Sequence, residues 1–149
     1  MLQNEALKQM NSLGKEMSSI YHDIALKLCL SDSGFDILYS ICSLGNGCLQ
    51  RDICEMSFSS KQTINSSIKN MEKMGYIRLE QGQGRDKKIY LTKAGEQLME
   101  ERIAPVIACE NQILEAFDDD ECAVLLKLMK KYNVLLREKL CDIKDYRRG

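Results

Sequence analysis

The chain is 149 residues long, 44% hydrophobic and 29% charged, which suits one domain with or without an oligomerisation element and is too apolar for a disordered chain. No apolar run approaches the roughly 18 residues of a membrane span and no charged-then-apolar leader opens the sequence, so neither membrane insertion nor secretion is expected. His22 is the single histidine, against a multi-histidine metal site or a histidine-centred hydrolase; the seven cysteines (Cys29, Cys42, Cys48, Cys54, Cys109, Cys122, Cys141) lack a C-x-x-C pair, so a reducing cytoplasm and no metal or cofactor are expected.

From residue 2 to 28, Leu7, Met10, Leu13, Met17, Ile20, Ile24 and Leu28 recur at intervals of three and four, the stripe of an amphipathic helix. Its length at a terminus suggests packing on a partner chain; packing on its own domain is the alternative. Ser31-Asp32-Ser33 offers an N-cap to a second helix with Phe35, Leu38, Ile41, Cys42 and Leu44 on one face, ended by Gly45-Asn46-Gly47. A short third helix, about 49–56, turns Ile53 and Cys54 inward, and Ser57-Phe58-Ser59 makes a turn.

Ser60 caps a fourth helix, about 61–74, with Ile64, Ile68 and Met71 as a narrow buried stripe and Gly75 as its stop. Its outward faces carry Gln62, Thr63, Asn65, Ser66, Lys69 and Asn70, and no acid. The period then changes. Tyr76 to Gln81 alternates apolar and polar, as Lys88 to Leu91 does less cleanly, and Gly82-Gln83-Gly84-Arg85-Asp86-Lys87 between them reads as the basic tip of a β-hairpin.

Thr92 opens a long helix through Leu98, Ile103, Val106, Ile107, Ile113, Leu114 and Phe117, which Pro105 should kink or break. Asp118 with Glu121 fits a capping box before a last helix bearing Val124, Leu125, Leu128, Tyr132, Leu135, Leu136 and Leu140. A frayed tail follows at Tyr146-Arg147-Arg148-Gly149.

The net charge of −1 argues against a nucleic-acid binder until its distribution is read. Between Ser59 and Lys93 eight basic residues face three acids, a surplus of five, so the remainder carries −6. A basic module in an acidic frame is an electrostatic footprint for a polyanion. Short helix, turn, acid-free helix and basic hairpin in succession describe a winged helix. The expected fold is mainly α with a small β-hairpin wing: a dimerisation helix at 1–30, a winged helix-turn-helix at 31–98, and dimerisation helices at 99–149.

The runs Ser60-Lys61-Gln62-Thr63-Ile64-Asn65-Ser66, Glu72-Lys73-Met74-Gly75-Tyr76-Ile77 and Gly84-Arg85-Asp86-Lys87-Lys88-Ile89-Tyr90-Leu91-Thr92-Lys93-Ala94-Gly95 resemble the MarR (multiple antibiotic resistance regulator) family. One position departs: members usually carry Asp two residues before the wing-tip Arg, where this chain has Gln83, and Asp86 instead follows Arg85. The resemblance implies a homodimeric regulator, usually a repressor, that releases a pseudo-palindromic operator when a small aromatic or phenolic effector binds between dimer arm and DNA-binding module. Tyr21, His22, Tyr39 and Cys42 are the lining residues it suggests, with ordinary core packing as the alternative.

The chemistry of the DNA-facing residues is readable without the family. Gln62 and Asn65 are suited to paired hydrogen bonds with adenine in the major groove, and Thr63 and Ser66 share that helical edge. Ser60, Lys61, Lys69, Lys87 and Lys88 suit phosphates, and Arg85 a narrow minor groove. A merely solvated helix face and a mobile arginine are the rival readings. Other rivals are a thiol-based redox regulator, with Cys48 as the candidate thiol and Cys29, Cys42 and Cys54 as small apolar residues on buried faces, and a winged helix that binds protein. No G-x-S-x-G, P-loop or dinucleotide fingerprint points to an enzyme.

Overall fold

Side-chain caps fix where several of the helices begin. A computed structural model describes residues 2–141, with the side chains of residues 140 and 141 excepted; Leu140 as a stripe residue and the tail at Tyr146 to Gly149 lie outside the described residues. Helix α1 (Glu5–Lys27) starts where Asn4 Oδ1 accepts from the Leu7 N–H at 2.7 Å, and α2 (Asp32–Leu44) where Ser31 Oγ accepts from Gly34 at 3.0 Å. The chain then forms strand β1 (Cys48–Leu49), α3 (Gln50–Met56), α4 (Lys61–Lys73), β2 (Ile77–Gln81), β3 (Lys87–Leu91) and α5 (Lys93–Leu98). Gly45 (φ 93°) and Gly75 (φ 81°) close α2 and α4 in the left-handed conformation a side chain would resist.

Helix α2 is the centre of the first unit, residues 1–106, packing against α1, α3 and α4. Ile37, Leu38 and Ile41 are fully buried there, together with Ile53 of α3, Ile64 and Ile68 of α4, and Ile77 and Ile89 of the sheet. Each such side chain contributes about 1.5–3 kcal/mol relative to exposure. The expected α2 face is only partly buried, because Cys42 and Leu44 are exposed near the end of the helix, beyond the cover of its neighbours. Cys29 is likewise exposed, in the turn after α1, with φ 54°. The placement of Cys29 and Cys42 on buried faces is thus corrected; Cys54 is half-buried.

The hairpin is part of a three-stranded sheet, ordered β1-β3-β2. Ile77 faces Leu91 and Leu79 faces Ile89 in the β2–β3 register, so the alternation read in the sequence puts one row inward. The third strand is new: Cys48 pairs with Ile89, and the Asn46 side chain accepts from the Leu91 N–H at 2.8 Å.

After α5 the chain makes a π-helical turn (Met99–Ile103) and continues as α6 (Ala104–Glu115). Pro105 explains the break. An unbroken α-helix would need an N–H at residue 105 to reach the carbonyl of Glu101, and proline has none. The Ala104 N–H instead bonds five residues back, to Met99.

The second unit begins at Ile107 and carries most of α6 and α7 (Asp119–Cys141). Asp118 and Glu121 form the expected reciprocal cap, with N–H to carboxylate distances of 2.8 and 3.0 Å. No described residue of this unit is buried in the single chain; Leu125, Leu128, Tyr132, Leu135 and Leu136 all lie exposed.

Candidate nucleic-acid interface

The turn between α3 and α4 is held from α2. Asp36 Oδ2 accepts from the Ser57 hydroxyl, from the Phe58 N–H at 3.1 Å and from the Ser59 N–H at 3.4 Å. Ser60 Oγ then caps α4 through the Thr63 N–H at 3.2 Å. With no acid in its first turn, α4 presents an uncompensated positive helix end. Lys61, Gln62, Thr63, Ser66 and Lys69 are exposed along it, as is Ser60 at its cap.

Asn65 differs from these. It is half-buried, and its Oδ1 accepts from Gln50 Nε2 at 2.8 Å, with the Cys54 thiol 3.7 Å away. The residue therefore ties α4 to α3, and Gln50 Oε1 is buried beside it without a partner among the described residues. The periodicity gave no sign of this, because Gln50 lies fifteen positions upstream.

The wing tip spans residues 82–86. Gly82 N–H bonds to the Asp86 carbonyl at 2.8 Å, and Gln81 Nε2 donates to the Gly84 carbonyl at 2.6 Å. Arg85, Lys87 and Lys88 are exposed. Asp86 turns away from Arg85 and pairs with Arg51 of α3 at 3.1 Å. Lower on the wing, the Arg78 guanidinium lies 4.5 Å from the Tyr90 ring centroid and pairs with Glu80.

Residues 30–89 match the sequence profile of the MarR family. The match covers less than half of the chain, most of it the helix-turn-helix and hairpin, and over that stretch the chain is similar to the MarR family. The MarR fold extends beyond the matched stretch: a MarR family regulator from Neisseria meningitidis superposes with TM-score 0.83 at 17% identity, covering 95% of this chain and 100% of that one. A putative MarR family transcriptional regulator from Listeria monocytogenes, solved with a 26mer DNA, gives TM-score 0.70 at 22% identity, covering 100% and 99%. Bordetella bronchiseptica BpsR, whose DNA binding is regulated by 6-hydroxynicotinic acid, gives 0.63 at 16%, covering 84% and 98%. No curated protein matches the chain in sequence.

Of the four residues proposed to line a MarR effector pocket, three share one cavity. Tyr21, His22 and Tyr39 line a space of about 440 Å³ between α1, α2 and the turn before α4; Cys42 is not among its walls. Met17, Ser18, Asp32, Phe35, Asp36, Phe58 and Ser59 complete it; the sequence presents Met17 and Phe35 as helix-stripe residues, Asp32 as part of an N-cap and Phe58 and Ser59 as a turn, none of which marks a cavity. Phe35 stacks obliquely between Tyr21 and Tyr39, centroids 6.2 and 5.7 Å apart.

The candidate thiol, Cys48, is half-buried in β1, and burial pushes it above the ordinary thiol range, with the Asp52 charge adding to the rise. Burial likewise raises Cys54, against an opposing pull from Lys61. A reactive thiolate needs the opposite shift. The half-burial of Cys48 and the upward shift it causes count against this thiol as the reactive one.

Proposed function

We propose that this protein is a sequence-specific double-stranded DNA-binding transcriptional regulator, working as a homodimeric repressor that a small-molecule effector relieves. The observation that carries the reading is the exposed, acid-free edge of α4 beside a wing whose tip leaves Arg85 unpaired among the described residues. Gln62, Thr63 and Ser66 read base edges, while Lys61, Lys69, Lys87 and Lys88 neutralise phosphates and Arg85 enters the minor groove. Asn65 contributes mainly by bracing α4 on α3. The DNA complex of the Listeria monocytogenes relative supports this assignment by analogy.

Two copies are needed for specificity, since one module reads one half-site. The exposed Leu13, Met17 and Ile20 of α1, and separately the apolar faces of α6 and α7, supply area that a single chain leaves in water. Such a dimer would set the α4 helices roughly 34–36 Å apart, one turn of DNA. The cavity at Tyr21, His22 and Tyr39 is the effector site, as BpsR has a small-molecule regulator of its own. The reading is of a cytoplasmic binding protein with no catalytic step; among the described residues no helix is long and apolar enough to cross a membrane.

Fluorescence anisotropy against duplex DNA across a salt series tests this. Affinity should fall steeply with salt, and Lys61→Ala should reduce the logarithmic slope by about two per dimer. Gln62→Ala should change sequence preference, whereas Arg85→Ala should weaken all duplexes. Salt-independent binding, or no effect from any of the three changes, removes the reading. A single-chain mass by light scattering removes the dimer.

A further inference from the structure

The chemistry of the α1–α2 cavity selects the kind of molecule it holds. Its walls are aromatic and sulfur-bearing, from Met17, Tyr21, Phe35, Tyr39 and Phe58. Besides the tyrosine phenols, the ionisable lining groups are Asp32, Asp36 and His22, with neither lysine nor arginine among the lining residues. His22 Nδ1 lies 2.9 Å from both carboxylate oxygens of Asp32, so any positive charge it takes up is already matched, and Asp36 remains as a net negative group.

We propose that this cavity binds a hydrophobic organic cation, an aromatic or polycyclic amine whose ammonium lies toward Asp32 and Asp36; the proposal rests on the regulator reading and names its effector class. Aromatic faces attract a cation held over them and carboxylates complete its charge-assisted hydrogen bonds. An organic acid meets the reverse: two carboxylates and, beside His22 already held by Asp32, neither lysine nor arginine among the lining side chains. BpsR is regulated by a carboxylic acid, 6-hydroxynicotinic acid, so the shared fold here comes with an inverted charge preference. A volume of about 440 Å³ suits a ligand of two or three rings. Because Asp36 also holds the turn before α4, occupancy bears directly on the element that presents Gln62 and Thr63.

Three matched compounds, naphthylethylammonium, naphthylethanol and naphthylacetate, titrated calorimetrically into the full-length protein, provide the test. The ammonium should bind at least about tenfold tighter than the acetate, with the alcohol between them. Asp32→Asn should weaken the ammonium several-fold and leave the alcohol within about twofold. Phe58→Ala, at a fully exposed position outside the core, should weaken all three and serves if Asp32→Asn fails to fold. Acetate binding as tight as ammonium binding, binding of none of the three, or ammonium affinity unchanged in both variants overturns the proposal. DNA binding by the same preparation without compound tests the regulator reading independently: if it persists while the compounds fail, only the ligand class is wrong.

Discussion

Arg51 of α3 and Asp86 of the wing tip form an ion pair that joins the helix-turn-helix to the hairpin, with Nη1 3.1 Å from one carboxylate oxygen and 3.4 Å from the other. The family pattern places an acid at the position of Gln83, two residues before the wing arginine. In this chain the acid comes after Arg85 and reaches α3 instead. The wing is steadied from below, and Arg85 stays exposed.

That geometry separates bracing from phosphate contact. Asp86→Asn and Arg51→Ala should each weaken DNA binding several-fold, measured by anisotropy, while unfolding free energy changes by no more than about 1 kcal/mol, as for an exposed pair. If Arg51 served only as a phosphate contact, Asp86→Asn would free it and tighten binding. Tighter binding would therefore refute the brace.

Asn65→Ala should behave unlike its neighbours on α4. Removing the carboxamide strands the half-buried Gln50 side chain, whose Oε1 already has no partner among the described residues. The expected cost is about 1–3 kcal/mol in a denaturant titration. Gln62→Ala, on an exposed side chain, should shift stability by less than about 0.5 kcal/mol.

Gly95 is a packing requirement. A Cβ there would sit 1.9 Å from the Tyr76 carbonyl oxygen, a backbone atom fixed between α4 and the sheet. Gly95→Ala should destabilise by about 1–3 kcal/mol. Gly14→Ala, with no atom within 4 Å of the new carbon, should stabilise α1 by about 0.5–1 kcal/mol. Equal unfolding midpoints for the two variants would contradict the packing argument.

The raised thiols give a pH dependence. Burial favours the neutral form of Cys48 and Cys54 in the folded chain. Their contribution to stability is fully present below the thiol pKa of the unfolded chain and declines as pH rises through the higher folded value. At neutral pH, alkylation followed by mass spectrometry should modify the exposed Cys29 and Cys42 before Cys48. Preferential labelling of Cys48 would contradict the shift.

Local signals carried most of the architecture. Ser31, Ser60 and Thr92 cap helices because their hydroxyls reach backbone N–H groups three residues on, a relation within one turn that the sequence states directly. The same holds for the Asp118–Glu121 box and for the alternation in β2. Strand β1 escaped notice because two residues carry no period; it exists through its pairing with Ile89, forty-one positions away.

The amino-acid order alone therefore determined the helices, the hairpin, the acid-free edge of α4 and the basic wing, all of which follow from contacts within a few residues. Only the tertiary structure decided that Asp86 pairs with Arg51, that Asn65 braces α3, that Cys42 lies outside a cavity lined by Tyr21, His22 and Tyr39, and that burial raises Cys48. Those outcomes depend on which side chains are brought together from distant segments and how far water is excluded around them. No periodicity records either.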